Sequence, residues 1–379
     1  MTINRNEYYV RPVNGNDSTG DGLSHATAWL TTSHALGTIA IDTTDGDRIN
    51  VCDEGTETLT AAMPFSTYGG HSSRNAGLTI EGYTATAGDG GLFSFDCGGY
   101  GFVSATSQDY IVIQNGKFTN WGYGNLCFYL DDYCSFVNLE FDATIPSGNN
   151  SYRCIVAGSV TNIIGCKFHN FYDTSGVCIQ CSSSSRIINN HIDTSSHAAL
   201  RIYNAVLVYG NLILNGRYNG ECIELRNGYG SRIINNSLIS SASSTAQGIG
   251  ANDAGLDSSL ILIMNNYIEG FIGVGGAGIS FNSDYGPNWV TNNYVYNCTD
   301  PDDSMGELFT TRNDPTIVVS DPGLMDWANG DWRPTKALIG KSETTEFLPS
   351  GTASSLDIGA IQHPRGVIGG PSLQAGRSR

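Results

Sequence analysis

Several side chains between residues 201 and 226 are of the types that act on sugars. Glu221 and Glu224 form the kind of carboxylate pair that supplies the acid and base of a glycosidase. Arg201 or Arg226 could stand near a substrate carboxylate in a lyase. The two glutamates lie on one short apolar segment, however, and point in different directions. The pattern therefore favours a polar sheet face with ordinary cross-strand pairs over catalysis.

Two other motifs lack the context that their chemistry requires. Gly273-Val-Gly-Gly-Ala-Gly278 fits a dinucleotide-binding glycine pattern, but no helical pattern follows it. Asp17-Ser-Thr-Gly-Asp-Gly22 is similar to the start of a calcium loop, yet Ala28 occupies the twelfth position, so a turn is the better interpretation. The spacing of the ten cysteines argues against a zinc ribbon or a thioredoxin-like centre. The sequence predicts no metal and no cofactor.

Charge and hydropathy exclude other classes of function. The chain has 379 residues, with 19 basic and 36 acidic side chains and a formal charge of −17. A duplex-binding protein needs a basic face to neutralise phosphates, so we expect no nucleic-acid partner. No apolar run approaches the ~20 residues that cross a bilayer, so we expect no membrane partner. The start, Met1 to Tyr9, lacks an apolar signal core, which predicts synthesis in a cytoplasm without secretion.

One short pattern recurs from residue 110 to residue 313. It consists of an apolar pair, two small polar residues, any residue and a large apolar residue, as in Ile-Ile-Asn-Asn-His-Ile192. The large apolar positions lie 21 to 30 residues apart, a period typical of solenoids. The alternation indicates strands, and the absence of long helical patterns excludes α/β barrels and doubly wound sheets. We expect eight positions to stack inside a rod in chain order: Phe118, Phe141, Phe168, Ile192, Ile213, Leu238, Ile268 and Val295.

A second apolar segment follows each copy in register, as in Glu-Cys222-Ile-Glu-Leu225. One column of this segment contains only small residues, which indicates packing of buried, reduced thiols. Strict alternation would point the column outward, so either the strand turns a corner there or another surface covers it. If it is outward, it is a candidate surface for self-association. Its members are Cys127, Cys154, Cys178, Ala199, Cys222, Gly248 and Gly278.

The outward face of the second segment is the most polar surface that the repeat predicts. Planar amides, guanidinium groups and tyrosines suit sugar hydroxyls. One outward column contains Tyr129, Val156, Gln180, Arg201, Glu224, Gly250, Ser280 and Thr310, and the next contains Asp131, Gly158, Ser182, Tyr203, Arg226, Asn252, Asn282 and Arg312. We expect carbohydrate contacts at Arg201, Tyr203, Glu224, Arg226, Asn252, Asn282 and Arg312.

With these strands and turns, the chain resembles the right-handed parallel β-helix, or pectin-lyase-like, superfamily over nearly all of residues 8 to 363. The resemblance implies an all-β solenoid with a cap at each end. It also implies an asparagine ladder, in which turn amides bond from coil to coil, at Asn190, Asn211, Asn236, Asn266 and Asn293. The chain departs from the enzyme families: Asp131-Asp132 stands without the His-Gly of polygalacturonase-type hydrolases, and the Arg-x-Pro-x-x-Arg of pectate lyases is missing.

The two ends complete a division into four regions within one structural domain. Residues 1–109 contain a glycine–aspartate loop and a short segment up to Ala40, which resemble the capped start of many phage and bacterial β-helix proteins. Residues 110–313 form the regular coils, and residues 314–363 resemble a C-terminal cap. Residues 364–379 form a Gly/Ser tail without acids, which is either a disordered end or an arm that docks on a partner through Arg365, Arg377 and Arg379.

The resemblance leaves more than one function open, because a fold does not choose among functions. We expect first a bacteriophage virion protein, with a structural, decoration or fibre-type role, that contacts host glycan and other virion proteins. Rods of this superfamily usually associate as homotrimers, so a homotrimer is expected. The alternative is a polysaccharide lyase or glycoside hydrolase, including a tailspike depolymerase. A bacterial surface adhesin is disfavoured by the missing signal.

Overall fold

The structure is a computed structural model that describes most of the chain up to residue 299. The described residues are 5–40, 42, 45–65, 77–102, 109–121, 127–143, 153–172, 176–195, 197–215, 220–240, 247–251, 260–281, 288–291 and 293–299, with the backbone of 324–326 and 331–334. The expected contacts Asn252, Asn282 and Arg312, the position of Thr310 and the tail arginines 365, 377 and 379 lie outside these residues.

The N-terminal region carries the only α-helix of the described residues and the first strands of the rod. Its elements are β1 (Asn6–Val10), a 3-10 helix (His25–Thr27), α1 (Thr32–Thr38), β2 (Asp47–Cys52), β3 (Thr56–Thr58), β4 (Leu78–Tyr83) and β5 (Phe93–Asp96). The segment Asp17 to Gly22 is an anchored turn, because Asp17 accepts hydrogen bonds from the backbone N–H groups of Leu30 and Thr31 at 2.7 and 3.1 Å. Glu57 accepts bonds from Thr32 at the first turn of α1, which holds this short helix against the rod.

The regular coils follow with two or three strands each, because in the first two of them one long strand spans the positions that two short strands occupy in later coils. The strands are β6 (Ile111–Thr119), β7 (Phe128–Leu130), β8 (Ser135–Asp142), β9 (Ile155–Ala157), β10 (Asn162–Ile164), β11 (Lys167–Tyr172), β12 (Val177–Cys181), β13 (Arg186–Ile188), β14 (His191–Ser195), β15 (Ala198–Ile202), β16 (Leu207–Tyr209), β17 (Leu212–Asn215), β18 (Glu221–Leu225), β19 (Arg232–Ile234), β20 (Ser237–Ser240), β21 (Gln247–Ala251), β22 (Leu262–Met264), β23 (Tyr267–Glu269), β24 (Ala277–Phe281), β25 (Trp289–Thr291) and β26 (Tyr294–Tyr296). An antiparallel pair, β27 (Leu324–Asp326) and β28 (Asp331–Pro334), lies in the segment expected to cap the end.

Equivalent strands of successive coils pair in parallel and form three ladders along the rod. β13, β16 and β19 belong to the first ladder, β14, β17 and β20 to the second, and β12, β15 and β18 to the third. The first two ladders form one 19-stranded sheet, while the third is a separate 7-stranded sheet. The chain is therefore an all-β parallel β-helix, as the repeat predicts.

The eight expected core positions stack in chain order. Register pairs join each to the next, from Phe118 with Phe141 to Ile268 with Val295. Phe118, Phe141 and Phe168 stack ring on ring, with centroids 5.4 and 4.9 Å apart. All eight side chains are at most 2% exposed. The predicted register is confirmed, because apolar residues at this spacing can be buried together only if every coil turns at the same point.

The structure places the five ladder asparagines at the turn between the first and second strands of their coils. Each amide Nδ2 donates to Oδ1 of the next asparagine at 2.9 to 3.0 Å, from Asn190 through to Asn293. Each Nδ2 of the column also donates to a backbone carbonyl of the preceding coil, such as that of Val208 for Asn236. These bonds satisfy buried turn groups that the strand ladders leave unpaired.

The cysteine column points into the core, which answers the question of its direction and removes it as a surface for self-association. Cys127, Cys154, Cys178 and Cys222 are 0% exposed and belong to the main apolar cluster. The physical reason is that the strand turns a corner. The ladder pairs Val177 with Ala198 and Ile179 with Leu200, but it does not pair Cys178 with the column residue of the next coil. Two consecutive side chains can therefore both enter the core. All ten cysteines are free thiols in the structure.

A second apolar cluster lies apart from the core, on the outward side of the second ladder. It consists of Leu212, Ile239, Tyr267 and Tyr294, which are at most 7% exposed. The rings of Tyr267 and Tyr294 stack at 5.8 Å. The repeat pattern alone did not predict it.

Within the described residues, no helix is long and apolar enough to span a membrane.

Candidate functional site

The outward face of the third ladder holds the side chains expected to contact carbohydrate. Register pairs join Tyr129 to Val156, Val156 to Gln180, Gln180 to Arg201 and Arg201 to Glu224. Glu224 pairs with Gly250 and Gly250 with Ser280, so the first outward column is continuous over seven coils. Since adjacent coils are about 4.8 Å apart, neighbouring side chains of this column are within contact distance.

An open groove of about 210 Å³ occupies the N-terminal part of this face. Tyr129, Asp131, Gln180 and Ser182 provide its polar lining. Gly158 also lines the groove, and a side chain cannot fit there, because a Cβ would lie 2.4 Å from Oδ1 of Asp132 and 2.9 Å from the backbone of Asp131. The glycine therefore allows the turn at Asp131 and Asp132 to approach the next coil closely. A flat aromatic ring beside an amide and a hydroxyl suits a sugar ring and its hydroxyl groups.

Asp131 is the one carboxylate of this lining. Burial, followed by the charges of Asp132 and Asp109, raises the pKa of Asp131. Asp132 is engaged in the turn itself, because its Oδ1 accepts from the backbone N–H of Ser159 and its own N–H donates to Asp109 at 2.9 Å. A single acid with a raised pKa in a groove is a candidate for proton transfer, although a glycosidase needs a second carboxylate across the substrate.

The charged residues further along the face form a buried cluster. Oε2 of Glu224 accepts from Nε of Arg201 at 2.7 Å, and its Oε1 accepts from Nε of Arg226 at 2.6 Å. Glu224 and Arg201 are only 4% and 8% exposed. The expected cross-strand pairing is present at these two positions, but the pair is buried and not exposed on a polar face. Charges leave water only when they are paired, and here one carboxylate pairs with two guanidinium groups.

This pairing decides which expected residues remain accessible. Arg226 and Tyr203 are half-buried, and neither lines the groove. Glu224 has both oxygens occupied, and Glu221 lies in a different register column, paired with Ala198. The two glutamates do not form an acid–base pair. The described residues also contain no group of His, Cys, Asp and Glu that could hold a metal.

Reasoning from the repeat missed one other concave surface, at the turn that leads into the first ladder. Tyr110 and Tyr133 stack there with centroids 4.7 Å apart and an interplanar angle of 3°. The signal in the sequence is the position of each tyrosine, two residues before the first outward residue of its first strand, Val112 or Ser135.

Comparisons with known proteins identify no family for this chain. No family model matches it, and no curated protein matches it. Among solved structures, it is similar to a native GH136 lacto-N-biosidase from Eubacterium ramulus, with 11% identity and a TM-score of 0.38 over 80% of this chain and 67% of that one. The selenomethionine derivative of the same enzyme gives 11% identity and a TM-score of 0.37, over 83% of this chain and 67% of that one. A likeness of this size bears on neither activity nor substrate.

Proposed function

We propose that this chain is a glycan-contacting β-helix of a bacteriophage particle, with a structural, decoration or fibre-type role. The observation that carries the glycan contact is the open groove on the third ladder, lined by Tyr129, Gln180 and Ser182. Tyr129 and Gln180 lie on strands of the rod and Ser182 directly follows one, so the contact surface is preorganised. Binding a glycan then costs little conformational entropy of the protein.

The particle assignment is supported by the resemblance of the N-terminal region. The glycine–aspartate loop and the short helix α1 precede the first coils, in the order in which such chains begin. The partners in this proposal are other virion proteins and a host polysaccharide. The tail arginines 365, 377 and 379 would dock on an acidic partner.

Self-association as a homotrimer belongs to the same proposal. The segment Gly273 to Gly278 presents Val274 at 91% exposure, with Ile272 beside it at 46%. A copy of the same rod would cover these apolar side chains, and a closed ring of identical subunits would leave none exposed.

Glycan contact is tested by titrating the protein with host surface polysaccharide in a calorimeter. Gln180→Ala should weaken binding about tenfold, which corresponds to one lost hydrogen bond to a sugar hydroxyl. Gln114→Ala is the matched control, because Gln114 is a half-buried amide on the outward side of the first ladder. Equal losses in both variants, or no binding by the wild-type protein, would overturn the proposed contact face.

The alternative function is a polysaccharide lyase or glycoside hydrolase, and the position of the Asp131 carboxylate in the lining of the groove favours it. Its test is incubation with the same polysaccharide and measurement of new reducing or unsaturated ends. Cleavage that disappears in Asp131→Asn, or in variants of Glu224 or Arg226, would establish an enzyme. Retained binding without new ends supports the non-catalytic role.

A further inference from the structure

A groove of about 420 Å³ runs along the edge between the third and first ladders, apart from the groove on the third ladder. Two rows of side chains line it from coil to coil. One row is the turn before the first strand, with Tyr110, Tyr133 and Val160. The other row is the first outward position of that strand, with Ser135, Asn162 and Arg186.

The turn row breaks a rule that the rest of the rod obeys. At the turn between the first and second strands, every residue with a positive φ is asparagine or glycine, the types that adopt this conformation readily. Those residues are Asn115, Asn138, Gly165, Asn189, Gly210, Asn235 and Asn265. At the turn beside the groove, φ is equally positive, between 54° and 70°, at Tyr110, Tyr133, Val160, Ser184, Ala205, Gly230 and Leu260.

Bulky residues in this conformation are strained, and a β-branched valine is the least suited of all. Burial does not explain them, because Tyr133 is 44% and Val160 is 38% exposed. Stacking on each other compensates the two tyrosines in part, whereas Val160, between Tyr133 and Ser184 in the column, has no aromatic ring of its own to stack. The members of this row that line the groove form one wall of a concave surface, which points to a role in binding there.

The charge of the groove is opposite to that of the molecule. The chain carries −17, yet the described lining of the groove contains two arginines and no acid. Arg5 donates to Oγ1 of Thr79 at 2.9 Å, and Thr79 follows Arg48 in the column that continues through Val112, Ser135 and Asn162 to Arg186. Four coil steps of about 4.8 Å place the two cations roughly 19 Å apart, at opposite ends of the groove. Among the described residues, Arg186 is paired with no carboxylate.

We propose that this groove binds an extended acidic saccharide along the rod axis. Sugar rings lie against Tyr110, Tyr133 and Val160, hydroxyl groups bond to Ser135 and Asn162, and anionic substituents meet Arg5 and Arg186. Guanidinium groups suit carboxylate and sulfate alike, because both present paired oxygens. The site is independent of the groove on the third ladder.

The test is calorimetric titration of the full chain with an oligogalacturonate, a sulfated oligosaccharide of similar length and a neutral oligosaccharide. We expect the acidic probes to bind at least tenfold more tightly than the neutral one, and the preference to fall with added salt. The two acidic probes distinguish a carboxylate ligand from a sulfate ligand. Equal binding of neutral and acidic probes would overturn the proposal.

Matched variants separate binding from folding. Arg186→Gln should weaken acidic probes about tenfold, whereas Arg232→Gln, two coils further along the same column, should not. Val160→Gly should weaken binding while leaving the melting temperature unchanged or higher, because the strain is relieved. Leu260→Gly, in the same turn column outside the groove lining, should raise the melting temperature without affecting binding. A lower melting temperature for Val160→Gly would show that the bulky turn residue serves folding, and the proposal would fail. If Gln180→Ala weakens binding of the acidic probes and Arg186→Gln does not, the probes bind to the groove on the third ladder, and the proposal fails.

Discussion

Glu224 lies between two guanidinium groups in a part of the outward face that excludes water, and this decides how the site responds to substitution. Arg201 Nε is 2.7 Å from one carboxylate oxygen and Arg226 Nε is 2.6 Å from the other. Because Arg201 is only 8% exposed, its charge has little contact with water and depends on the Glu224 carboxylate for compensation.

Glu224→Ala should destabilise the fold by about 3–5 kcal/mol, since it leaves the Arg201 guanidinium buried without a counter-charge. Chemical denaturation measures this loss. The double variant Arg201→Met/Glu224→Leu should recover most of the stability, because it removes both charges together. A double variant as unstable as Glu224→Ala would show that packing, rather than charge, is responsible.

Glu54 is a second carboxylate whose environment predicts a pH effect. Burial raises the pKa of Glu54, but hydrogen bonds from Asn14, Arg11 and Val13 outweigh it and lower the pKa from 4.5 to about 2. A lowered folded pKa stabilises the protein above the unfolded value of 4.5, and this contribution is lost as pH falls towards 2.

Thermal unfolding between pH 7 and pH 3 should therefore show a gap between wild type and Glu54→Gln that narrows as the pH falls. Glu7→Gln is the control, because its contact with Arg48 is long, at 3.9 Å, and its side chain is 43% exposed. A gap that stays constant with pH would contradict the role assigned to the Glu54 carboxylate.

At the scale of the coil, the turns decide the register. The asparagine turn joins the first and second strands, and Asn236 bonds there to Asn266 at 3.0 Å and to two backbone carbonyls at 3.1 Å. Its own Oδ1 accepts from the backbone N–H of Asn211 at 3.0 Å. Buried polar groups without partners are costly, so the turn depends on this one side chain.

Asn236→Ala should cost about 1–3 kcal/mol, because the backbone groups that it satisfies stay buried. The measurement is the denaturation midpoint. Asn189→Gly is a suitable comparison, since Asn189 precedes the ladder position in another coil, is exposed, and has a positive φ that glycine also adopts. An unchanged midpoint for Asn236→Ala would count against the stabilising role of the ladder.

For the whole molecule, the charge of −17 makes attachment to a partner sensitive to salt. Under the proposed particle role, deletion of residues 364–379 should leave the melting temperature nearly unchanged and weaken attachment to particles. Attachment of the full chain should also weaken with added salt, because exposed charge pairs are screened beyond about 8–10 Å. Particle binding by the truncated chain equal to that of the full chain would remove the docking-arm role of its three arginines.

Much of the architecture could be predicted from the sequence, because the core is periodic. Phe118 to Val295 recur at the same point of every coil, and only one register buries them all, so the parallel stacking followed from the pattern. The asparagine column followed from the same register. Local alternation, however, could not give the direction of the cysteine column, because the strand turns a corner at Cys178 that no spacing reveals.

The tertiary structure alone decided which polar residues are accessible. The alternation of apolar and polar residues predicts that Arg201 and Glu224 lie on the surface, but the folded chain pairs and buries them. The groove between Arg5 and Arg186 depends on four coils stacking in register, and Arg5 is far from the others in sequence. Sequence periodicity specifies which side of a strand a residue occupies. Burial and neighbouring charge depend on segments that meet only when the coils stack, and these determine what the residue can bind.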